Sequence, residues 1–287
     1  MTSITSKRRH PADVVMLTVI YVCAGLAVAL LLEIAIFVTI KGVPNINWEF
    51  LTSVTSVLKG TTGIAGNIVN TLYMIVLTML IATPIGVGAA IYLNEYAKPG
   101  KFVNMIEFAT ETLSGIPSII FGLFGMTFFA EALGLSYTIL TGSITMALMV
   151  LPLITRNTQE ALKTVPDSYR SGAFGLGAGK WYMIRTILLP SAMPGIITGV
   201  ILAVGRIVGE SAALLFTAGS AKILPPDLFG CVKKIIEPGG TLTIQLYLSA
   251  TKGEFGVAFG IAFVLLVIVL GMNFLAKGLA KHFDIRR

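Results

Sequence analysis

Charged residues are scarce in this chain. They make up 12% of the 287 positions, about half of the roughly 25% found in soluble domains. Hydrophobic residues reach 55%, and the mean hydropathy is +0.87. Because so little charge cannot cover so much apolar surface, the sequence excludes an ordinary soluble domain and predicts an integral membrane protein.

Histidine and cysteine are nearly absent as well. The two histidines, His10 and His282, lie near the ends of the chain. A serine hydrolase needs a histidine base beside its nucleophile and a metal site needs a cluster of ligands, so neither is expected. Cys23 lies in an apolar run and Cys231 in a polar segment, at different depths, so they are not expected to pair.

Six apolar runs approach or exceed the roughly 20 residues that cross a bilayer as a helix. They are residues 14–40, 68–93, 108–129, 137–155, 191–216 and 255–275. The first run is longer than the apolar part of a signal peptide and has no small-residue cleavage pattern, so it is expected to remain as a span. The sequence therefore predicts an all-α membrane protein with six transmembrane helices. One domain covers residues 14–280, between an N-terminal segment at 1–13 and a tail at 281–287.

The cations indicate the orientation of the chain. Two thirds of the 21 lysines and arginines lie before the first run, in the second and fourth loops, or in the tail. Since cytoplasmic segments carry such an excess, both termini and the 156–190 loop are predicted to be cytoplasmic, and the long 217–252 loop external. In that external loop, 225–227 and 238–240 are expected to form turns on either side of a short helix. No basic stripe with interleaved aromatic residues occurs, so the net charge of +7 does not indicate nucleic acid as a partner.

Prolines and glycines interrupt several runs. Pro84 and Pro117 lie inside the second and third runs, where a proline removes a hydrogen bond and bends a helix. Bent helices around a cavity suit a transporter, but prolines also serve packing alone in membrane helices, and both interpretations remain open. Pairs of glycines with a spacing that lets another helix approach closely occur in the fifth run: Gly195 with Gly199, and Gly205 with Gly209.

The fifth run also contains two charged residues, Arg206 and Glu210. Their spacing of four residues would place both on one face of a helix. A charge in the middle of a bilayer costs on the order of 3 kcal/mol, so this face is expected to look toward protein or water. Arg206 would then attract an anion along a transport path. The alternative is an ion pair that only holds two helices together. Glu33, Glu107 and Glu111 are interpreted as interfacial or packing residues.

Residues 175–181 look like a phosphate-binding loop at first sight. A P-loop would need glycine in place of Phe174 and serine or threonine in place of Trp181. No ATP site and no other cofactor site is therefore expected in this chain.

The segment between the fourth and fifth runs has a pattern of its own. Gly177 is followed, after nine other residues, by Ile187, Leu189 and Pro190. This pattern resembles the EAA loop of ABC importer permeases. The resemblance implies a short coupling helix that inserts into a groove of a cytoplasmic ATPase, the subunit that binds ATP and Mg²⁺.

The resemblance departs from the family at one point. The family has Glu-Ala-Ala starting six residues before the glycine, where this chain has Ser171, Gly172 and Ala173. The acidic residue is therefore missing, while the small residues that permit close insertion are kept.

Further motifs resemble the PstA-type permeases of bacterial phosphate importers. They are residues 63–68 (GIAGNI), 93–96 (LNEY), 114–122 (SGIPSIIFG), 209–212 (GESA) and 242–247 (LTIQLY). The family implies the type I ABC importer permease fold and a location in the bacterial inner membrane. Its partners are a homologous PstC-type permease, a dimer of PstB-type ATPases and an external PstS-type phosphate-binding protein. It also implies that Arg206 and Glu210 line the path of phosphate.

Three alternatives stay open from the sequence. The cargo is another oxyanion such as sulfate, molybdate or tungstate, the permease pairs with a second copy of itself, or the protein is an ATP-independent channel or secondary transporter. The lack of a visible internal repeat counts against a secondary transporter.

Overall fold

The computed structural model describes residues 11–56, 61–224 and 228–282. Its long helices are α1 (Pro11–Gly42), α3 (Ala65–Ile91), α6 (Ile139–Lys163), α9 (Leu189–Gly209) and α13 (Phe255–His282). Its short helices are α2 (Trp48–Thr52), α4 (Lys101–Gly115), α5 (Ser118–Phe124), α7 (Asp167–Gly175), α8 (Lys180–Met183), α10 (Ala212–Thr217), α11 (Leu228–Lys233) and α12 (Leu242–Thr251). Strands β1 (Val54–Ser56) and β2 (Thr61–Ile64) pair antiparallel.

Stretches of π-helix lengthen three of these elements. Tyr92–Tyr96 continues α3, Gly125–Ala132 continues α5, and Ile184–Leu188 joins α8 to α9. The last of these makes Lys180–Gly209 one helical stretch. Short 3-10 turns lie at Val43–Asn45 and Lys234–Ile236.

In the described residues, five helical stretches are long and apolar enough to cross a membrane, and the third expected span is not among them. Helices α4 and α5 meet at an angle of 104°, so a sixth span exists only if this bent pair is counted as one. Pro117 lacks an N–H donor and keeps the residue before it out of the helical region, and Ile116 is indeed extended (φ −73°, ψ 130°). The expectation that Pro117 bends the third span is confirmed, and the bend is sharp enough to divide the span into two helices. Helix α3 runs through Pro84 without a break.

The predicted boundaries of the 156–190 loop were too wide. Helix α6 continues to Lys163 and the next helical stretch begins at Lys180, so only residues 164–179, with α7 among them, lie outside these helices. Ala161 and Leu162 are buried against the rest of the chain, and this burial stabilises an additional turn of helix. Hydropathy indicates where the chain leaves the bilayer, but packing contacts determine where the helix itself ends. Helix α13 likewise extends past residue 275 to His282.

The core of the bundle lies between α3, α6 and α9. Helices α6 and α9 are antiparallel, and a Cβ on Gly195 or Gly199 would lie 2.6 Å from the Cβ of Ala161 or Asn157. The first glycine pair therefore admits a neighbouring helix, as expected. Around the second pair, Gly205 and Gly209, the described chain leaves open space.

The end of the bundle opposite α7 is closed by residues 217–224 and 228–252. Two buried amides at the start of α3 hold this segment: Asn67 Nδ2 donates to the Gly240 carbonyl at 2.8 Å, and Asn70 Nδ2 to the Ala221 carbonyl at 2.9 Å. The expected short helix is confirmed as α11 with its 3-10 turn, although the turn at 225–227 lies outside the described residues. Helix α12, which the sequence interpretation took for loop, packs against α13 within the bundle.

Lys234 is buried in this closing segment. Its side chain is 1% exposed, Nζ donates to the Pro238 carbonyl at 3.3 Å, and the Glu237 carboxylate lies 3.9 Å away. Burial lowers the pKa of Lys234 from its ordinary value, and Glu237 opposes this effect.

We expect Lys234→Met to raise stability. Methionine has similar length and no charge to desolvate, and water can reach the exposed Pro238, so the gain at neutral pH should be about 1 kcal/mol or about 2 °C in the unfolding midpoint. Because the lowered pKa lets the folded protein lose its proton before the unfolded chain does, stability of the unaltered protein rises with pH up to the ordinary lysine pKa. The advantage of the variant should therefore shrink as the pH approaches 10.

Thermal unfolding of the detergent-solubilised protein between pH 7 and 10 checks this, with the exposed neighbour variant Lys233→Met as control. A midpoint that falls in Lys234→Met would show that the ammonium stabilises the fold.

Candidate functional site

A cavity of about 440 Å³ lies between α4, α6 and the C-terminal end of α9. Helix α6 lines it from Met149 to Lys163, which corresponds to about 20 Å of helix. Its wall consists of Leu93, Glu107, Thr110, Glu111, Ser114, Met149, Pro152, Leu153, Arg156, Asn157, Gln159, Glu160, Lys163 and Arg206.

Helix α4 turns its polar side to this cavity. Four polar residues spaced three or four apart form that side: Glu107, Thr110, Glu111 and Ser114. Apolar residues such as Phe102 and Met105 lie exposed on the helix elsewhere. The interpretation of Glu107 and Glu111 as interfacial or packing residues was wrong, because both line the cavity. The sequence did contain a signal, since the polar residues of α4 recur with a helical period.

Most charges along α6 are paired within the cavity wall. Arg156 Nη1 lies 3.7 Å from Glu111 Oε1, and Lys163 Nζ lies 3.5 Å from Glu160 Oε1. All four side chains are more than half exposed, so these pairs are weak and easily exchanged for another partner.

Arg206 differs from these cations. The antiparallel register of α6 and α9 places it level with Met149 and Pro152, at the end of the cavity farthest from α7. In the part of the chain that the structure describes, no carboxylate forms an ion pair with it. An exposed guanidinium at the inner end of a cavity has all its donors available for an anion.

Glu210 does not share a helix face with Arg206. Helix α9 ends at Gly209 and Glu210 is extended (φ −82°, ψ 125°), so the chain turns before α10 begins. Glu210 Oε1 accepts from the Ala213 N–H at 3.1 Å and caps α10, while its carbonyl accepts from Thr243 Oγ1 at 2.7 Å. The expected four-residue pairing is therefore wrong: Arg206 lines the cavity, and Glu210 holds α10 and α12 in place.

The coupling-loop residues lie on α7 and on the helical stretch after it. Ser171 and Gly172 are exposed on α7, whereas Ala173 is 5% exposed and packs into the chain's own core, so it is not available to a partner. Gly177 adopts φ +79°, which L-residues rarely take, and ends the turn that follows α7.

The other three motif residues are helical. Ile187, Leu189 and Pro190 are half-buried near the junction of the π-helical stretch and α9. Pro190 lies inside the continuous Lys180–Gly209 stretch, directly after the π-helical residues, so its missing N–H removes one hydrogen bond of that stretch. The motif therefore spans a short helix, a turn and the start of a long helix.

Comparison with known proteins now decides the family. Residues 82–287 match the family described as "Binding-protein-dependent transport system inner membrane component". The chain belongs to this permease family.

Relatives and solved structures agree with this assignment. The permease is 35% identical to the "Probable ABC transporter permease protein YqgI" of Bacillus subtilis (strain 168), over 90% of this chain and 91% of that one. It is 33% identical to the "Phosphate transport system permease protein PstA" of Mycobacterium leprae (strain TN), over 73% and 69% of the two chains. Its fold is similar to a chain of a bacterial alginate ABC transporter solved with a pentasaccharide-bound periplasmic protein, with a TM-score of 0.69, 14% identity and 96% of both chains covered. The predicted permease fold and the resemblance to PstA-type permeases are thus confirmed.

Several charged residues of the permease escaped the sequence interpretation. Arg156 and Lys163 were assigned to a loop, but they line the cavity from α6. Arg170 and Glu95 form a buried ion pair of 2.8 Å although 75 residues separate them. Local spacing gives no signal for such a pair, because only the packing of α7 against the end of α3 brings the two together.

Proposed function

We propose that this permease is the PstA-type subunit of an ATP-driven phosphate importer and forms half of its translocation path. The observation that carries the proposal is Arg206, which forms no ion pair among the described residues and lies at the inner end of the cavity. A guanidinium offers paired N–H donors that match two oxygens of a phosphate. The phosphate transport named for several relatives supports this choice of cargo.

The remaining charges suit release rather than tight binding. Arg156 and Lys163 lie on α6, between the level of Arg206 and the α7 end of the cavity. Each already has a glutamate within 4 Å. A phosphate moving past them competes with Glu111 and Glu160, which keeps each site weak. Conduction through several weak sites needs this balance.

The α7 end of the permease suits docking to an ATPase. Leu176, next to Gly177, is 91% exposed, and Phe174, Trp181 and Tyr182 are about half exposed or more. Such a group of exposed apolar side chains marks an interaction surface. In the proposed complex a PstB-type ATPase dimer, which binds ATP and Mg²⁺, receives this surface. Both termini then lie in the cytoplasm, as the cation distribution also indicates.

The other partners follow from the open sides of the permease. A homologous PstC-type permease covers the cavity, and a PstS-type binding protein delivers phosphate at the end closed by residues 217–252. Closure of the ATPase dimer moves α7 and rocks the two permeases around the shared path. The complex is placed in the bacterial inner membrane.

The test is uptake into proteoliposomes that contain the permease with its candidate partner permease, ATPase and binding protein. We expect labelled phosphate to enter only when ATP and binding protein are both present, and excess sulfate or molybdate not to compete. In a second arm, Leu176→Glu should remove the ATPase from the purified complex, because a charge replaces the exposed apolar side chain.

The outcomes separate the alternatives. Competition by sulfate or molybdate would change the cargo. Uptake without the ATPase would assign the protein to channels or secondary transporters. An ATPase that stays bound to Leu176→Glu would place the docking surface elsewhere.

A further inference from the structure

Arg170 forms the most extensive side-chain network of the α7 end. Its Nη2 lies 2.8 Å from Glu95 Oε1, and its Nε donates to Oε1 at 3.2 Å and to Oε2 at 3.4 Å. The two side chains are 18% and 5% exposed, so the pair is shielded from water and salt. Asn94 Nδ2 donates to the same Glu95 oxygen at 2.7 Å and fixes the carboxylate from the other side.

The same guanidinium also holds the end of α6. Arg170 Nη1 donates to the Val165 carbonyl at 3.0 Å, and Nη2 to the Leu162 carbonyl at 3.2 Å. Leu162 lies in the last turn of α6 and its carbonyl also accepts from the Val165 N–H at 3.3 Å, so Arg170 adds to the bonds that fix this helix end. One side chain on α7 therefore joins the ends of α3 and α6.

Of the three helices at the core, α3 packs along α6 but has no short chain connection of its own to α7. Short segments of chain join α7 directly to α6, at 164–166, and to the Lys180–Gly209 stretch, at 176–179. No short segment joins α7 to α3. Within the described ranges, every hydrogen bond between α7 and the Tyr92–Tyr96 stretch comes from Arg170. Beyond the turn, Lys180 Nζ lies 4.7 Å from the centre of the Tyr96 ring and adds a weaker contact.

This network reaches the cavity within two residues. Leu93, two positions before Glu95, lines the cavity, and so do the α6 residues from Met149 to Lys163. A displacement of α7 thus moves α6 through the chain, and moves the α3 side of the cavity through the Arg170–Glu95 pair.

We propose that Arg170 and Glu95 are positioning residues that transmit the movement of the ATPase-bound α7 helix to the α3 wall of the cavity. The proposal rests on the ATPase coupling proposed above. Glu95 also raises the pKa of Arg170 further above its ordinary value, so the guanidinium stays charged. The pair thus adds a direct link between α7 and the end of α3, beside the packing of α3 along α6.

The test compares two cysteines in the complete complex, with Cys23 and Cys231 replaced by serine. Leu93→Cys reports on the α3 side of the cavity and Gln159→Cys on the α6 side, by their rates of labelling with a membrane-impermeant maleimide. We expect trapping with ADP and vanadate to change both rates at least about fivefold in the otherwise unaltered complex. With Glu95→Gln added, the response at position 93 should fall below about twofold while that at position 159 persists.

Arg170→Gln should give the same selective loss if the complex assembles. Asp167→Asn is the matched control, because Asp167 also contacts Arg170, at 3.0 Å, but its side chain is 97% exposed. A full response at position 93 in Glu95→Gln would overturn the proposal. So would equal losses at both positions, since they would indicate a general disturbance of the fold.

The assay uses no phosphate, so a wrong cargo would appear in the uptake experiment alone. No response at either position in the unaltered complex would overturn the ATPase coupling itself, and the link with it.

Discussion

Replacing Arg206 with glutamine should reduce ATP-dependent phosphate import about a hundredfold while the complex stays assembled. Arg206 is the cavity cation without an ion pair in the described chain, whereas Arg156 and Lys163 are each paired with a glutamate, so its loss removes the one charge that is free to meet phosphate. Removing a charged partner from a desolvated contact typically costs about 2–5 kcal/mol, or roughly thirty- to several-thousandfold. Glutamine keeps a polar side chain of moderate length and disturbs the cavity wall little.

Initial rates of phosphate uptake in proteoliposomes check this expectation. The uptake rate of Arg206→Lys should lie between that of the unaltered protein and that of Arg206→Gln, because lysine keeps the charge and loses the paired donors. Arg185→Gln provides the matched control, since Arg185 is exposed on the same helical stretch but outside the cavity. Import within about threefold of the unaltered rate in Arg206→Gln would remove Arg206 from the path.

Gly66→Ala should strongly destabilise the fold, whereas Gly88→Ala on the same helix should not. A Cβ on Gly66 would overlap the backbone carbonyl of Lys222, and its distance to the carbonyl carbon would be 2.6 Å. The backbone there cannot swing aside, because the carbonyl of the neighbouring Ala221 accepts hydrogen bonds from Asn70 Nδ2 and from the Gly240 N–H. We expect a loss of about 3 kcal/mol or more, which corresponds to roughly 8 °C in the unfolding midpoint.

Gly88 has open space around the position of a Cβ, so alanine there removes the flexibility of glycine without a clash. Its midpoint should stay equal or rise, since alanine favours a helix over glycine by about 1 kcal/mol. Thermal unfolding of the purified variants measures both. Equal midpoints for the two alanine variants would show that the 217–252 segment can move away from α3.

The sequence was sufficient for the membrane class and for five spans, because long apolar runs need no tertiary information. It was insufficient where packing or a cap decides the backbone. Arg206 and Glu210 share a helix face only if the helix continues, and it ends at Gly209. A capping signal was present, since an acid three residues before a helical N–H is a common start of a new helix.

The coupling loop shows a second limit. Its motif identified the family, and Ser171, Gly172 and Gly177 do lie on the exposed surface around α7. The residue on α7 with the most side-chain bonds, Arg170, stands directly before the motif and takes its partner from a distant part of the chain. Local patterns cannot reveal such a pairing.

Helix α1 packs mainly along α13, with a Cβ on Gly42 lying 2.6 Å from the Phe259 carbonyl oxygen and the rings of Phe37 and Phe259 5.6 Å apart. The two helices are far apart in the sequence, so the ribosome synthesises α1 long before its packing partner α13. During that interval α1 lies in lipid without this packing partner. Its mean hydropathy of 2.7 in the most apolar window makes it stable there. Docking of α1 thus becomes possible only after α13 has been synthesised.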